Sequence, residues 1–506
     1  MRLATLLLLL SLLFSPAHAQ INGQLDTIDN TTVLTVWGSH HERGYAQGYL
    51  LGDAGKQVFD EYFIDFFCLG SSFVYNNLRT IFTSNFTVDA RYLDEVDGII
   101  LGMRDAGVDL FNPTLGRDIT ATDILVANSL VDLSQWSGKE GFGCSSLSSW
   151  GASTIADPIL GGHLVITRHL DWSKHAALTS NAVLTVHVPS EPDEQRWLSL
   201  GYAGFLGALS AVNVSGLGAF LDLGNYALGM AGAPYEPILF SVRTGMERAD
   251  FDGNGTNSPA DVTAAIEAVS RSAAVLVQVT QDDGMSSRPV IVEVNNARGV
   301  AERDADNNSV VPADNLAVTN HFRLLYNPVY CNRYAAITDS LNVNRHISPT
   351  RSWDLLAGAA GQYGGNIMAI QYIESSGSLA WAVDTALEPA YLQKPSVVNV
   401  DDLFGFATAV ATPQPVVCLE QNRPNPFNPA TCIRFSLPEP TSCWLTVYDL
   451  AGHQVRTLLA EPLPSGLHRV QWAGDDDLGR RVSSGTYLYE LRTDRGRYSR
   501  KMLLLE

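Results

Sequence analysis

Between residues 163 and 295 the chain is written in short runs of alternating apolar and polar residues, "HLVITRHLDW", "NAVLTVHV", "RWLSLGY", "LSAVNVSGLGAFLDL" and "PVIVEVN", with glycines between them. A period of two places successive side chains on opposite faces of a strand, so these runs must pair edge to edge and bury at least one face. Upstream the texture is different. "TTVLTVWG" reads as a strand, "SHHERGYAQGYLLGDAGKQVFDEYF" has apolar residues at helical spacing after a Ser/His start, and the helical pattern continues to about residue 135. It includes "ATDILVANSLVDLSQW", for which Thr122 or Asp123 is the expected cap. Helical segments recur near 235–247 and 259–273, which makes the order α+β rather than a regular βαβ alternation.

The two ends carry different instructions. "MRLATLLLLLSLLFSPAHAQ" has one basic residue, an apolar run and the small-x-small pattern Ala17-His18-Ala19, the composition of a secretory signal cleaved near residue 19. Elsewhere no segment reaches the roughly 18 uninterrupted apolar residues of a membrane span. At 408–417 the composition shifts to Pro, Ala, Thr and Val, an expected linker. Residues 418–506 then alternate strands and turns in the pattern of a small all-β sandwich. The formal net charge of −20 and the lack of a basic block exclude nucleic acid as a partner. Six cysteines are too few for a disulfide scaffold in 506 residues, although Cys432 and Cys443 could bridge neighbouring strands.

The boundary between the two textures is "EGFGCSSLSSW", where Cys144 sits between glycine and small hydroxyl residues. A buried structural thiol is the plain reading. A reactive one needs a base or a cation, because only the thiolate attacks and the free pKa is about 8.5. Cutting the Gly143-Cys144 bond would supply a base on the same residue, an α-amine of pKa about 7.7 to 8.0. The ordered set "GCSS", "GGHLVITRHLDW", "NVSGLGAFLDLGN", "VTNHF" and "CNRY" resembles the N-terminal-nucleophile (Ntn) hydrolases of the choloylglycine hydrolase type, which include penicillin V acylase, bile salt hydrolase, acid ceramidase and acyl-CoA:6-aminopenicillanate acyltransferase. The likeness spans residues 31–395 and implies a four-layer αββα core that cuts itself before Cys144 and retains residues 20–143 as an α chain.

The resemblance also implies roles for the surrounding residues. Asp171 would hold the α-amine and Arg168 would lie beside the thiolate. Residues three apart on a strand face opposite ways, so both serve one site only if the chain turns at His169-Leu170. Asn320 would stabilise the oxyanion of the tetrahedral intermediate, Arg333 would complete the charge network, and Asn225 would be a second oxyanion donor, with Asn213 or Asp222 as alternatives. The hairpin from Cys144 to Arg168 is longer than in the bile-salt enzymes, and Ser145 stands where threonine is common. No organic cofactor is implied.

Inside this region "DFDGNGTNSPAD" places Asp250, Asp252, Asn254, Thr256, Ser258 and Asp261 at EF-hand spacing, with Gly255 at the sharp turn, an expected loop for one structural Ca²⁺. A solvated acidic turn is the alternative. "PNPFNP" and "SSGTYLYEL" in the last ninety or so residues resemble the immunoglobulin-like sorting domains of type IX secretion and the flagellar hook-cap repeat. They imply export across an outer membrane, through the secretion machinery, to the medium or cell surface. The resulting expectation is a secreted cysteine amidase or acylase acting on small N-acyl amides. A phospholipase B-like esterase or acyltransferase on the same core, and a non-catalytic surface binding protein, are the competing readings.

Overall fold

The computed structural model describes every residue except 1–20, 30, 137–142, 225–231, 308–310, 313, 361–364, 386, 412–417, 420, 421, 423, 424, 438, 439, 451, 465, 495 and 506. The expected leader and Asn225 therefore lie outside the described residues. The chain divides into two units, residues 1–411 and 412–506.

The first unit is built on two sheets. Nine strands form one, in the spatial order Gly23–Ile28, Thr31–Gly38, Ala182–Pro189, Trp197–Tyr202, Ser210–Asn213, Gly218–Leu223, Val275–Thr280, Val290–Asn295 and Gly299–Arg303. Its neighbours are antiparallel except Thr31–Gly38 beside Ala182–Pro189, where the upstream segment joins the downstream strands. Six antiparallel strands form the other: Asn315–Val318, Gly143–Ser149, Val165–Asp171, Asn366–Ile373, Ser378–Val383 and Ser396–Asn399. The sheets face each other across buried polar pairs, Ser146 with Asp222 (2.7 Å) and Ser148 with Gln278 (2.8 Å). Helices Asn332–Val343 and Pro349–Ala360 cover the outer side of the six-stranded sheet. Helices His40–Gln57, Ala90–Asp105 and Ile238–Glu247 lie on the nine-stranded side. The layers run α, β, β, α. Strands buried on both faces explain burial along the whole of Val165–Asp171 and Gly218–Leu223, where alternation alone would leave one face wet.

The helix His40–Gln57 starts where its sequence says it should: Ser39 and Glu42 form a capping box. Its glycines are set by packing. A Cβ on Gly48 would stand 2.1 Å from the Ile99 carbonyl oxygen, and one on Gly98 would stand 2.3 Å from that of His41. The two backbones touch, so Gly48→Ala is expected to lose about 1 kcal/mol net, because steric overpacking of about 1–3 kcal/mol exceeds the helix-propensity gain of about 1. Gly55→Ala, whose Cβ would meet nothing closer than 3.6 Å, is the matched control and should not be destabilised. Denaturant titration of the two variants reads the difference.

Three local expectations are corrected here. The helix beginning at Ala121 is capped by Thr120, with Asp123 as the third helical residue of the box, rather than by Thr122 or Asp123. Helix Val400–Ala411 runs into the expected linker, because the alanines of "FATAVA" favour helix. Helix Ile238–Glu247 starts three residues late, after Pro237.

The second unit is a two-sheet sandwich, with three strands (Cys418–Leu419, Thr431–Leu437, Gly466–Trp472) over four (Gln454–Leu463, Thr441–Tyr448, Gly485–Thr493, Gly496–Leu504). Leu445, Val447, Trp472, Tyr489 and Leu491 are fully buried in its core. Cys432 and Cys443 fall on different sheets and are both free, so the suggested bridge is not formed. Among the described residues no helix is long and apolar enough to cross a membrane.

Candidate active site around Cys144

Strand alternation assembles the site. Cys144, Ser146 and Ser148 share one face of Gly143–Ser149, and in the register with Val165–Asp171 Cys144 stands opposite Leu170, Ser146 opposite Arg168 and Gly143 opposite Asp171. Arg168 thus points between the sheets, where its guanidinium donates to Ser210 Oγ (3.0 Å), the Leu221 carbonyl and Asp222 Oδ1 (3.4 Å), and lies 3.8 Å from Cys144 Sγ. Asp171 faces the other way. The expected turn at His169-Leu170 is absent: the strand runs straight to Asp171, and the irregularity falls in its neighbour, between Asn366 and Met368. The two side chains serve one place because Cys144 is near the strand end, with its sulfur on the Arg168 face and the preceding Gly143 paired with Asp171.

Arg333, from the first turn of helix Asn332–Val343, ties the junction together. It donates to the Cys144 carbonyl (2.6 Å), Ser145 Oγ (3.0 Å) and Asn320 Oδ1, and lies 3.5 Å from Asp171 Oδ2. It is only 7% exposed, so it is not a surface arginine. A Cβ on Gly143 would meet its guanidinium at 3.1 Å, so glycine there lets the cation lie against the junction. Asn320 accepts the Cys144 N–H (3.1 Å) and donates to the Leu223 carbonyl (2.7 Å), which leaves one of its two amide hydrogens for another acceptor. Asp171 Oδ1 accepts from Asn366 (3.1 Å), while Oδ2 is buried without a hydrogen-bond partner.

The structure brings together Cys144, Arg168, Asp171, Asn320 and Arg333. It adds Asp222, which was held as an alternative for another role, and Ser146, Ser210 and Asn366, which sequence reasoning missed. The signal for Ser146 was present, since it lies two residues after Cys144. Ser210 and Asn366 come from distant strands that no spacing rule links to the site. Asn213 instead holds the hairpin after Ser210–Asn213, accepting from the Ser215 and Leu217 amides.

The electrostatics define what the arrangement can do. Two guanidiniums, Arg168 and Arg333, face two carboxylates, Asp171 and Asp222. A thiolate would be one negative charge too many in a dry site. Burial, reinforced by Asp222 and opposed by Arg168, pushes the Cys144 thiol up to about 12. Burial likewise lifts Asp171 to about 6, against the pull of Asn366, Arg333 and Arg168, and raises Asp222. An apolar cavity of about 30 Å³ adjoins the site, lined by Tyr62, Leu170, Trp172, Tyr202, Leu209 and Leu239.

The calcium-type loop forms as a series of Asx turns. Asp250 accepts from the Gly253 and Gly255 amides, and Asp261 caps the following helix through Ser258. Oxygens of Asp250, Asp252 and Asp261 lie within 4.8 Å of one another, and none of the three has an ion pair among the described residues. Three converging carboxylates without a cation fit a hard divalent ion.

The class the structure defines is a four-layer αββα fold, with a buried cysteine following glycine on a strand and two arginines, an aspartate and an asparagine at its two sides. The chain is similar to the N-acylethanolamine-hydrolyzing acid amidase ortholog of Caenorhabditis elegans (14% identity, TM-score 0.34, covering 46% of this chain and 93% of that one). It is also similar to a mutant form of the conjugated bile acid hydrolase of Clostridium perfringens (9%, 0.32, 51% and 93%) and to penicillin V acylase of Agrobacterium tumefaciens (10%, 0.29, 49% and 84%). At scores this low the fold stands on its own sheets and layers. Residues 429–497 match the family of the FlgD Ig-like domain. No curated protein matched the chain.

Proposed function

We propose that the protein is a cysteine amidase that cuts its own Gly143-Cys144 bond and then hydrolyses small N-acyl amides through an acyl-enzyme on Cys144. One observation carries the reading: the site is a single positive charge short of holding a thiolate, and the cut would create that charge on the same residue. The new α-ammonium would sit beside Asp171 Oδ2, which faces Arg333 at 3.5 Å but accepts no hydrogen bond, and the resulting zwitterion would let the buried sulfur ionise. The thiolate attacks the amide carbonyl, the free hydrogen of the Asn320 amide supports the oxyanion, the α-ammonium protonates the leaving amine, and water then releases the acyl group. The test is release of amine from a panel of N-acyl amides and matched esters; faster ester cleavage would select the esterase alternative.

Processing carries its own pH signature. Asp171 must be ionised to receive the ammonium, so the cutting rate should rise with pH through about 6, roughly tenfold per unit below it, and the step should vanish in Asp171→Asn. The sign for stability is opposite. The folded value lies above the unfolded value of about 3.9, so the native state holds the extra proton and this group's contribution falls as pH rises from about 4 to about 6.

The loop at 250–261 is read as a structural Ca²⁺ site, with Asp250, Asp252 and Asp261 as the charged ligands and Asn254, Thr256 and Ser258 contributing neutral oxygens. At a calcium concentration a hundred times Kd, stability should rise by about 2.7 kcal/mol, seen as a thermal midpoint a few degrees higher. Chelation, or the Asp250→Asn/Asp252→Asn pair, should remove that shift. The C-terminal sandwich is read as the export domain, and its deletion should leave the enzyme inside the cell envelope.

A further inference from the structure

Asp171 ends its strand, and the residue opposite it is decided by an irregularity in the neighbouring strand. Along Asn366–Ile373 the pairing runs Gln371 with Thr167, Ile370 with Arg168, Ala369 with His169 and Met368 with Leu170. Continued regularly, it would set Ile367 against Asp171. Instead the register shifts by one residue between Met368 and Asn366, and Asn366 is the residue paired with Asp171. Bulges of this kind re-aim a side chain and recur beside active sites. The chain enters the strand through Gly365, whose φ of +102° lies in the region that favours glycine. Its carbonyl accepts the Trp172 N–H (3.0 Å), which pins the irregular end to the residue following Asp171.

The Asn366 side chain is held at both ends. Its Oδ1 accepts the Tyr391 N–H (3.0 Å), and because a backbone N–H can only donate, the amide is fixed with its NH₂ end toward Asp171. Nδ2 lies 3.1 Å from Asp171 Oδ1, with the Met368 and Leu170 carbonyls farther off at 3.3 and 3.4 Å. Both side chains are buried, Asn366 at 2% exposure and Asp171 at 4%. An isoleucine in this place would offer the carboxylate no donor. With Oδ1 tied to Asn366, Oδ2 is the oxygen turned toward Arg333, on a residue that pairs with Gly143 at the junction.

We propose that Asn366 is a positioning residue of the Cys144 site: its amide holds one oxygen of Asp171, aims the other at the junction, and favours the ionised carboxylate that receives the α-ammonium. The consequence for cutting rests on the amidase reading. The effect on Asp171 does not, since it belongs to the folded chain whether or not the chain is cut. A hydrogen bond donated to a carboxyl oxygen stabilises the ionised form over the acid. Burial lifts the Asp171 carboxyl to about 6, and the hydrogen bond from Asn366 is the strongest pull in the other direction, ahead of Arg333 and Arg168. Removing that donor therefore moves the carboxyl further up, and the pH at which Asp171 becomes competent moves with it.

The experiment is a pH titration of the Asp171 carboxyl by infrared absorption in the full chain, on a Cys144→Ala background where no cutting intervenes, with Asp171→Asn identifying the band. In Asn366→Ala the midpoint should rise by about one pH unit, the size expected for one hydrogen bond to a charged group. Asn366→Asp is the second variant and covers the case in which alanine does not fold, because it keeps the shape and an acceptor for the Tyr391 N–H. Its two adjacent carboxyls should lose their last proton above the wild-type midpoint. An Asp171 midpoint that stays in place in the folded variants would overturn the assignment. With Cys144 intact, Asn366→Ala should cut its junction about tenfold more slowly than the wild type below pH 6 and at nearly the wild-type rate at pH 8. Slowing by the same factor at every pH would mark a purely structural residue and refute the positioning role. A wild-type chain that is never cut would refute the amidase reading alone, and the titration would still decide for or against Asn366.

Discussion

Cys144→Ala is expected to remain a single chain and to release no amine from any N-acyl amide that the wild type cleaves, a loss on the order of 10⁴-fold or more in kcat/KM. The magnitude follows from the double use of one residue. Its thiol is the cutter at the junction and afterwards the nucleophile, and its nitrogen becomes the proton carrier. Folding should be little affected, because the change removes a single buried sulfur and the strand pairing of Gly143–Ser149 uses only backbone. Cys144→Ser is the informative companion. A hydroxyl can cut the junction slowly, but it ionises far less readily than a thiol in a site that already pushes the thiol to about 12. Slow processing with almost no turnover is the expected pattern, checked by gel and by amine release.

The second large effect is on Arg168. It is fully buried and meets Asp222, itself fully buried, so Arg168→Met leaves a carboxylate uncompensated in a dry interior. Breaking one partner of a buried pair costs about 3–5 kcal/mol, whereas removing both charges is far milder. The single variant should therefore lose about 3–5 kcal/mol in denaturant titration, and Arg168→Met/Asp222→Asn should regain most of it. Activity should not return with stability, because the cation 3.8 Å from the sulfur is missing in both. A double variant that is both stable and fully active would show that Arg168 serves the fold alone.

How much of this was legible in the sequence depends on the range of the interaction. The Ser/His start of the first helix and the strand "TTVLTVWG" are local, and the structure follows them. Arg168 and Asp171 were legible as a pair but not as opposite faces of one straight strand, because a terminal residue can use its backbone where an interior one cannot. Ser210, Asp222 and Asn366 reach the site from three separate strands through pairing registers that a single sequence does not encode. The burial of Arg333 is similar: it depends on a helix docking on the outer face of the six-stranded sheet. The close contact of helices at Gly48 and Gly98 was visible only as a recurrence of glycine, whose meaning appears when the Ile99 carbonyl lies where a side chain would go.

The most direct measurement is the intact mass of the purified wild-type protein together with N-terminal sequencing. The account predicts two chains, one of them beginning Cys144-Ser145-Ser146. A single uncut chain at pH 7, where Asp171 is ionised, would contradict it: the missing positive charge would never be supplied, the thiol would stay protonated, and Cys144 would be a buried structural cysteine.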